Sequence, residues 1–310
     1  MTTRRILQIS VAIGLMVLLW VNLDVPEALR MLSRAQPGSL GAALLALTVQ
    51  TLLSAWRWRL TARQLGLRIA PSQSVREYYL AQIVNQSLPG GMAGDVGRAV
   101  RSRREAGLRR ATEAVIIERL AGQTAIIAIL LGAAIAVTLT PGGLALPPPL
   151  LGLVTVIGLA AVATAAAIRW LPHLPGAAGR RLMALRAPLI RAMAAPVLPA
   201  QIALSLGTAT ANLLAFDFCA RATGTHHPVG AIPVLVPLIL VTMVLPISVS
   251  GWGLREGAAA AFFPLAGASA TAGLAASIAF GLVFLISTLP GLALLLAAGR
   301  PNADAGPRRG

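Results

Sequence analysis

Apolar runs long enough to cross a bilayer recur along the chain, near 6–23, 39–56, 113–139, 150–170, 197–216 and 271–298, with arginine-rich segments between them. About 20 apolar residues in helical form span the hydrocarbon core. In hydrocarbon, every backbone N–H and C=O must be bonded inside the protein, which leaves helices or a closed barrel. Runs of this length select helices. The chain is therefore expected to be an all-α polytopic membrane protein. Of its residues 56% are hydrophobic and 12% charged, about half the charged share of a soluble domain. That excludes a large soluble catalytic domain, a coiled coil or a disordered protein.

The charges are lopsided: 26 arginines, no lysine, 10 acidic residues and a formal net charge of +16. In a soluble protein such an excess suggests nucleic acid. Beside membrane spans it marks loops retained in the cytoplasm, and no nucleic-acid partner is expected. Arg4-Arg5 precede the first run, and no small-x-small cleavage site follows it. An uncleaved first helix with its N-terminus inside is expected. A short outer loop then holds Asp24, Glu27, Arg30 and Arg34, and Trp56 and Trp58 fall beside Arg57, Arg59 and Arg63 as an interfacial belt. The basic stretch with Arg169, Arg180, Arg181, Arg186 and Arg191 reads as a cytoplasmic loop, and the Gly/Pro-rich stretch 141–149 as an outer one. With this topology 21 arginines fall inside and 4 outside, as retention of positive charge requires. Both termini are cytoplasmic in this reading, and 299–310 forms a disordered tail. Cys219 is alone, so no intramolecular disulfide is expected. His226 and His227 beside Pro228 read as a solvated turn, and no metal is expected.

Two stretches break the pattern. Residues 78–93 are too short and too polar to span, and both flanks are basic; a re-entrant loop from the inside is expected. Residues 231–266 are apolar but interrupted by Pro233, Pro237, Pro246, Gly251, Gly253 and Pro264, and read as a second re-entrant element, from the outside. Leu88-Pro89, Gly94 and Arg98 recur as Leu245-Pro246, Gly251 and Arg255 at an offset of 157, about half the chain. The long runs repeat at a similar offset. The predicted architecture is two inverted repeats, about 1–145 and 146–298, each of about three transmembrane helices plus one broken re-entrant element, within one transmembrane domain, 1–298. Inverted repeats with broken helices at matching positions point to a transporter binding site.

Proline frees a carbonyl, and glycine lets the backbone turn and approach a ligand. Half-helix N-termini and arginine both suit phosphate. Intramembrane charges have plainer readings beside this one. Glu118 and Arg119 can form structural ion pairs. Being adjacent on a helix they do not face each other, so each needs another partner; Asp95 or Glu256 would serve Arg119. Asp95 and Arg98 can flank a cytoplasmic helix, Arg255-Glu256 can pair structurally, and Trp252 can anchor at an interface. Asp217 reads as a solvated end or helix partner and Pro290 as a kink.

At these residues the sequence resembles a known family. Asn85-Gln86-Ser87-Leu88-Pro89-Gly90-Gly91-Met92-Ala93-Gly94-Asp95-Val96-Gly97-Arg98 looks like its central signature, Glu118-Arg119 like its acidic-arginine pair, and Leu245-Pro246-Ile247-Ser248 with Gly251-Trp252-Gly253-Leu254-Arg255-Glu256 like its second signature. The family is the transmembrane region of lysylphosphatidylglycerol synthases, the flippase half of multiple peptide resistance factor proteins, with stand-alone inner-membrane relatives. The resemblance covers about 5–298. One departure is Ala93-Gly94 where a Gly-Gly pair is usual. The resemblance implies a translocase for phosphate-bearing or modified lipids of the bacterial inner membrane. It does not extend to aminoacyl transfer, which in fused members belongs to a soluble C-terminal domain.

The expected function is a lipid flippase that works by alternating exposure of a central cavity to the two leaflets, with no cofactor. The candidate substrate-binding residues are Asn85, Pro89, Gly90, Gly91, Gly94, Asp95, Arg98, Glu118, Arg119, Pro246, Ser248, Gly251, Trp252, Gly253, Arg255 and Glu256. Arg98 and Arg255 would bind the headgroup phosphate, while Glu118, Arg119 and Glu256 would form a switchable ion-pair set. The alternatives are a non-catalytic subunit of a lipid-modifying complex and an integral-membrane lipid-phosphate enzyme. Against the enzyme, the sequence has no paired acidic motif, no His-x-Glu-x-x-His site and no Ser/His/Asp set; against ATP coupling, it has no P-loop. The expected partners are a lipid with an anionic or modified headgroup, and a lipid synthase or a second copy of the chain.

Overall fold

The computed structural model describes residues 10, 14, 21, 23–88, 91–104, 106–140, 146–170, 175–228, 230–244 and 251–298. Among them the regular structure is entirely helical. Among the described residues five helical stretches are long and apolar enough to cross a membrane, the last of them Ala270–Ala297. All of the expected first span but residues 10, 14, 21 and 23 lies outside the described residues, as do the tail, 299–310, and Pro89, Gly90, Pro246 and Ser248.

The expected outer loop after residue 24 is instead a helix, α1 (Val25–Ser33). The Asp24 side chain caps it, accepting from the Glu27 N–H at 3.0 Å, and a proline in the first turn suits an N-terminus. Val25 and Ala28 pack on Leu274 and Ala275. Helix α2 (Pro37–Gln64) runs well past the expected end near residue 56. At 28 residues it is about 42 Å long. Arg57, Arg59 and Arg63 are thus helical, not in a loop, and only Trp56 keeps the exposed, belt-like position. Trp58 is buried.

Next come α3 (Pro71–Ser87) and α4 (Ala93–Arg101). Leu88, just before Pro89, is extended (φ −117°, ψ 141°), since a following proline disfavours helical geometry. Gly91 has φ +59°, where glycine carries no steric penalty. The expected broken element is therefore two helices, parted between Leu88 and Met92. Helices α5 (Gly107–Leu139) and α6 (Pro148–Trp170) follow. The basic segment after them, expected as a loop, holds helix α7 (Gly176–Ala192). Its apolar Leu189 and Ala192 pack in one cluster with Trp58, Leu65 and Val115, and arginine, itself a good helix former, does not oppose the helix.

Helix α8 (Leu198–Ala222) packs along α2. The Gln36 N–H bonds the Ala222 carbonyl at 2.9 Å, Gly207 lies opposite Leu53, and Gln201 Nε2 donates to Thr61 Oγ1 at 2.9 Å. One number falls as the other rises, so the two helices are antiparallel. The second broken element is α9 (Ile232–Val241), a 3₁₀ turn (Thr242–Val244), α10 (Leu254–Phe262) and another 3₁₀ turn (Phe263–Ala266). Pro233 and Pro237 do not break it as expected: Pro233 lies in the first turn of α9, and Pro237 forfeits a single bond within it. Gly251 and Gly253 have φ of +82° and +85°, which makes this turn a glycine site on both sides of Trp252. Helices α11 (Ala270–Ser287) and α12 (Leu289–Ala298) are parted at Thr288, just before Pro290, the expected kink. His226 is exposed, but His227 departs from the expected solvated turn, its ring packing edge-on against Phe263 at 4.4 Å.

Lipid tails are as apolar as leucine, so helices in a bilayer associate through close packing of small residues. The core follows this: Ala43, Ala55, Ala215, Ala220, Ala259 and Ala276 are wholly buried, while Leu45, Leu139, Leu159, Val162 and Leu296 face outward. Glycines permit the tightest contacts. A methyl on Gly94 would overlap the Ala81 carbonyl, and one on Gly273 the Ala259 carbonyl. Gly94→Ala is expected to destabilise the protein by about 1–3 kcal/mol through overpacking. Gly132→Ala, where the methyl has open space, should leave the melting temperature in detergent unchanged; equal melting of the two variants contradicts the packing of α3 on α4.

Candidate substrate cavity

A charge at mid-membrane costs about 2.5–3.5 kcal/mol on insertion scales, so such charges must find partners inside the protein. Glu118 and Arg119 lie about three turns into α5, deeper than expected because that helix begins at Gly107. Consecutive helical positions point apart, and the two residues serve different partners. Glu118 Oε1 accepts from Arg57 Nε (3.2 Å), Arg57 Nη2 (2.6 Å) and the Tyr78 hydroxyl (3.3 Å). Its Oε2 accepts from Arg98 Nη2 at 3.2 Å. Arg98 also reaches Asp95 Oδ1 at 2.9 Å, and Asp95 Oδ2 pairs with Arg119. The result is one alternating chain, Arg57–Glu118–Arg98–Asp95–Arg119, that ties α2, α4 and α5 together. Asp95 is the partner that serves Arg119.

Asn85, on α3, bridges the first break to α4. Its Nδ2 donates to Asp95 Oδ2 at 3.1 Å, and its Oδ1 accepts from the Gly94 N–H at 2.7 Å. Arg98 is sandwiched between the rings of Trp58 and Tyr78, each 4.6 Å from its guanidinium carbon. Aromatic faces attract a cation, which compensates for Nε and Nη1 atoms that are buried without a hydrogen-bond partner.

The second break holds a smaller, closed set. The Glu256 carboxylate accepts from the Gly253 N–H at 2.7 Å, from Arg255 Nη2 at 2.5 Å and from the Ser277 hydroxyl at 3.1 Å. Arg255 Nε donates to that hydroxyl at 2.9 Å, and the guanidinium lies against Trp252 and Phe280. Glu256 stabilises the start of α10 as a first-turn acid should. Arg98 and Arg255, matched in sequence, are therefore matched in burial and in aromatic contact, but their anions come from different places.

A cavity of about 330 Å³ lies between the two broken elements. Its polar lining is Gln50, Ser54 and Arg57 from α2; Gln82, Asn85 and Gln86 from α3; Asp95; Glu118, Arg119 and Gln123 from α5; and Thr208 and Asn212 from α8. Its apolar lining includes Ile126, Leu240, Met243, Phe280 and Phe284. Gly91 and Met92 sit at the first break. Of the expected site residues, Asn85, Gly91, Asp95, Glu118 and Arg119 line this space. Gly94 and Arg98 lie behind the wall, and Gly251, Trp252, Gly253, Arg255 and Glu256 form the separate closed set. Pro89, Gly90, Pro246 and Ser248 are outside the described residues.

Sequence reasoning missed Arg57. It sits between two tryptophans and looks like an interfacial anchor. The signal was nevertheless available, because an intramembrane Glu118 requires a cation and a neighbouring span is the place to seek it. Gly122, one turn from Glu118, leaves room for it: a methyl there would come within 2.9 Å of Arg57 Nη2.

Fold and cavity define a polytopic α-helical membrane protein built on broken helices around a polar-apolar pocket. The chain belongs to the lysylphosphatidylglycerol synthase transmembrane-region family, whose sequence model matches residues 6–291, nearly all of it. Comparison with curated proteins gives no match.

Removing one partner of a buried ion pair strands the other. Glu118→Ala is expected to cost about 3–5 kcal/mol by leaving Arg57 and Arg98 without their shared anion. Adding Arg57→Leu should recover part of the loss. Thermal unfolding in detergent checks this, and a Glu118→Ala protein as stable as wild type contradicts the assignment.

Proposed function

We propose that the protein is a lipid translocase, moving a phosphate-bearing or modified lipid between leaflets of the bacterial inner membrane by alternating access to the cavity. The observation that carries this reading is one cavity, beside both breaks, whose lining combines arginines with aliphatic and aromatic side chains. A lipid brings both characters, a charged head and apolar tails. Family membership supports a role in membrane lipid metabolism, and the antiparallel pairing of α2 with α8 supports two inverted halves rocking about a central site.

In this reading Arg57 and Arg119 meet the headgroup, since guanidinium groups form forked bonds with phosphate oxygens. Asn85, Gly91, Asp95 and Glu118 position them. Arg98 and Arg255 hold the broken helices in register, and the glycines Gly94, Gly251 and Gly253 permit the turns and close contacts. The Asp95–Arg119 pair is the one that opens, because the Arg119 side chain is 42% exposed while the Arg57 and Arg98 side chains are almost fully covered. Both termini face the cytoplasm, residues 1–298 act as one transmembrane unit, and a lipid synthase is the expected protein partner.

The test is translocation of a fluorescent phospholipid in proteoliposomes, read by the fraction open to an impermeant quencher. Arg119→Ala, inserted at wild-type level, is expected to slow translocation at least tenfold. Wild-type rates in Arg119→Ala and in Arg57→Ala overturn the reading.

A further inference from the structure

We infer that helix α7 (Gly176–Ala192) is an interfacial helix that lies in the plane of the membrane surface and binds anionic phospholipid there, at a surface separate from the cavity.

The sequence leaves this segment without anions of its own. Between Arg119 and Asp217 the chain holds five arginines, Arg169, Arg180, Arg181, Arg186 and Arg191, and no Asp or Glu. Arg180 and Arg191 are exposed. Neither they nor Arg186 have a side-chain hydrogen bond or ion pair among the described residues. Glu77 and Glu113, on α3 and α5, already pair with Arg101 and Arg109. The charge on α7 therefore calls for an anion from outside the fold.

Position sets the depth of the helix. Helix α6 ends at Trp170, an exposed ring with the Arg169 guanidinium carbon 5.7 Å from its centre. Such tryptophans mark the boundary between lipid and water. Helix α7 begins six residues later. Its Leu189 and Ala192 pack with Leu65 and Ala111, where α2 ends and α5 begins. Gln201 Nε2 pins the last turn, donating to the Ala192 carbonyl at 3.3 Å and to Thr61 Oγ1 of α2 at 2.9 Å. With 17 residues the helix is about 25 Å long, short of the roughly 30 Å hydrocarbon core. Arginines recur along its whole length, which hydrocarbon would not tolerate. It lies along the surface instead.

The outward side of α7 carries the two faces that such a helix needs. Met183 and Ile190, two turns apart, are exposed and form an apolar stripe. Arg180 and Arg191, three turns apart, form a cationic stripe beside it. Apolar side chains can enter the boundary between headgroups and acyl chains while the guanidinium groups bond phosphate oxygens, and an anionic leaflet adds attraction for each arginine. An acidic protein would also meet the arginines. The bilayer is favoured because it already surrounds the end of α6 and takes Met183, Ile190 and Trp170 as well.

Depth-resolved quenching tests this on the full chain. Ile190→Cys in a Cys219→Ala background, carrying an environment-sensitive fluorophore, is reconstituted in vesicles of three parts phosphatidylcholine to one part phosphatidylglycerol. The fluorophore is expected to be shielded from aqueous iodide. Phosphatidylglycerol spin-labelled at the top of its acyl chain should quench it at least threefold more than phosphatidylcholine labelled at the same carbon and present at the same fraction. Arg180→Gln with Arg191→Gln should abolish that difference without changing the melting temperature, since neither side chain has a partner in the fold. High salt should abolish it with the arginines intact, because exposed charges are screened. Equal quenching by the two lipids at low salt overturns the anionic preference, and a preference untouched by both the double replacement and salt overturns the role of the arginines. Full access of iodide in vesicles overturns membrane binding; shielding regained only in native membranes would mark a protein as the occupant instead. Stronger quenching by deep spin labels than by shallow ones overturns the in-plane placement.

Discussion

Charge neutralisation within the helix bundle is the constraint on which the rest of this molecule depends. Five ionised side chains lie together among the helices, four of them almost fully covered, and a charge inside a helix bundle is costly without a partner. Each is tolerable only because its neighbour in the chain Arg57–Glu118–Arg98–Asp95–Arg119 has the opposite sign. That chain fixes how α2, α4 and α5 sit together, and so fixes where the first break in the helices opens. The aromatic rings about Arg98 and the compact Arg255–Glu256–Ser277 set extend the same solution to groups that have no room for water.

Packing and polarity divide the work. Alanine and glycine bring helices close enough for backbone contact, as Gly94 does with Ala81 and Gly291 with Tyr79, and large aliphatic residues are left to the lipid. A bundle made this way is dry where helices touch. It can hold a polar cavity only where the helices are interrupted, since an interrupted helix exposes backbone and shortens its apolar face. The cavity lies between the two interruptions for that reason.

Much of this architecture is legible in the sequence because bilayer thickness imposes a length on every apolar run. The spans near 150–170 and 271–298, the two broken elements and the kink before Pro290 follow from length and proline alone. That Arg119 needs a partner other than Glu118 follows from helical geometry; the choice of Asp95 over Glu256 comes only from the fold. What does not follow is whether an arginine beside a tryptophan ends a helix or lies within it. Arg57 and the basic stretch of α7 carry the same local chemistry as a cytoplasmic loop, and only the tertiary fold shows that one is a buried ligand of Glu118 and the other a packed helix. Nor does sequence symmetry reveal inequality. Arg98 and Arg255 are equivalent by spacing, yet the first sits behind the cavity lining and the second in a closed set: Arg98 is shared between Asp95 on its own helix and Glu118 on a neighbouring one, whereas Arg255 pairs with the next residue.

The central claim is that the two breaks face one another across a single cavity. Met92, at the first, and Met243, beside the second, both line it. Paired cysteines at these positions, treated in native membranes with a short bifunctional thiol reagent, test it directly. Intramolecular cross-linking, diminished by added phospholipid, is the expected result. Labelling of each cysteine alone, with no cross-link at any reagent length that a cavity of about 330 Å³ admits, would contradict the account.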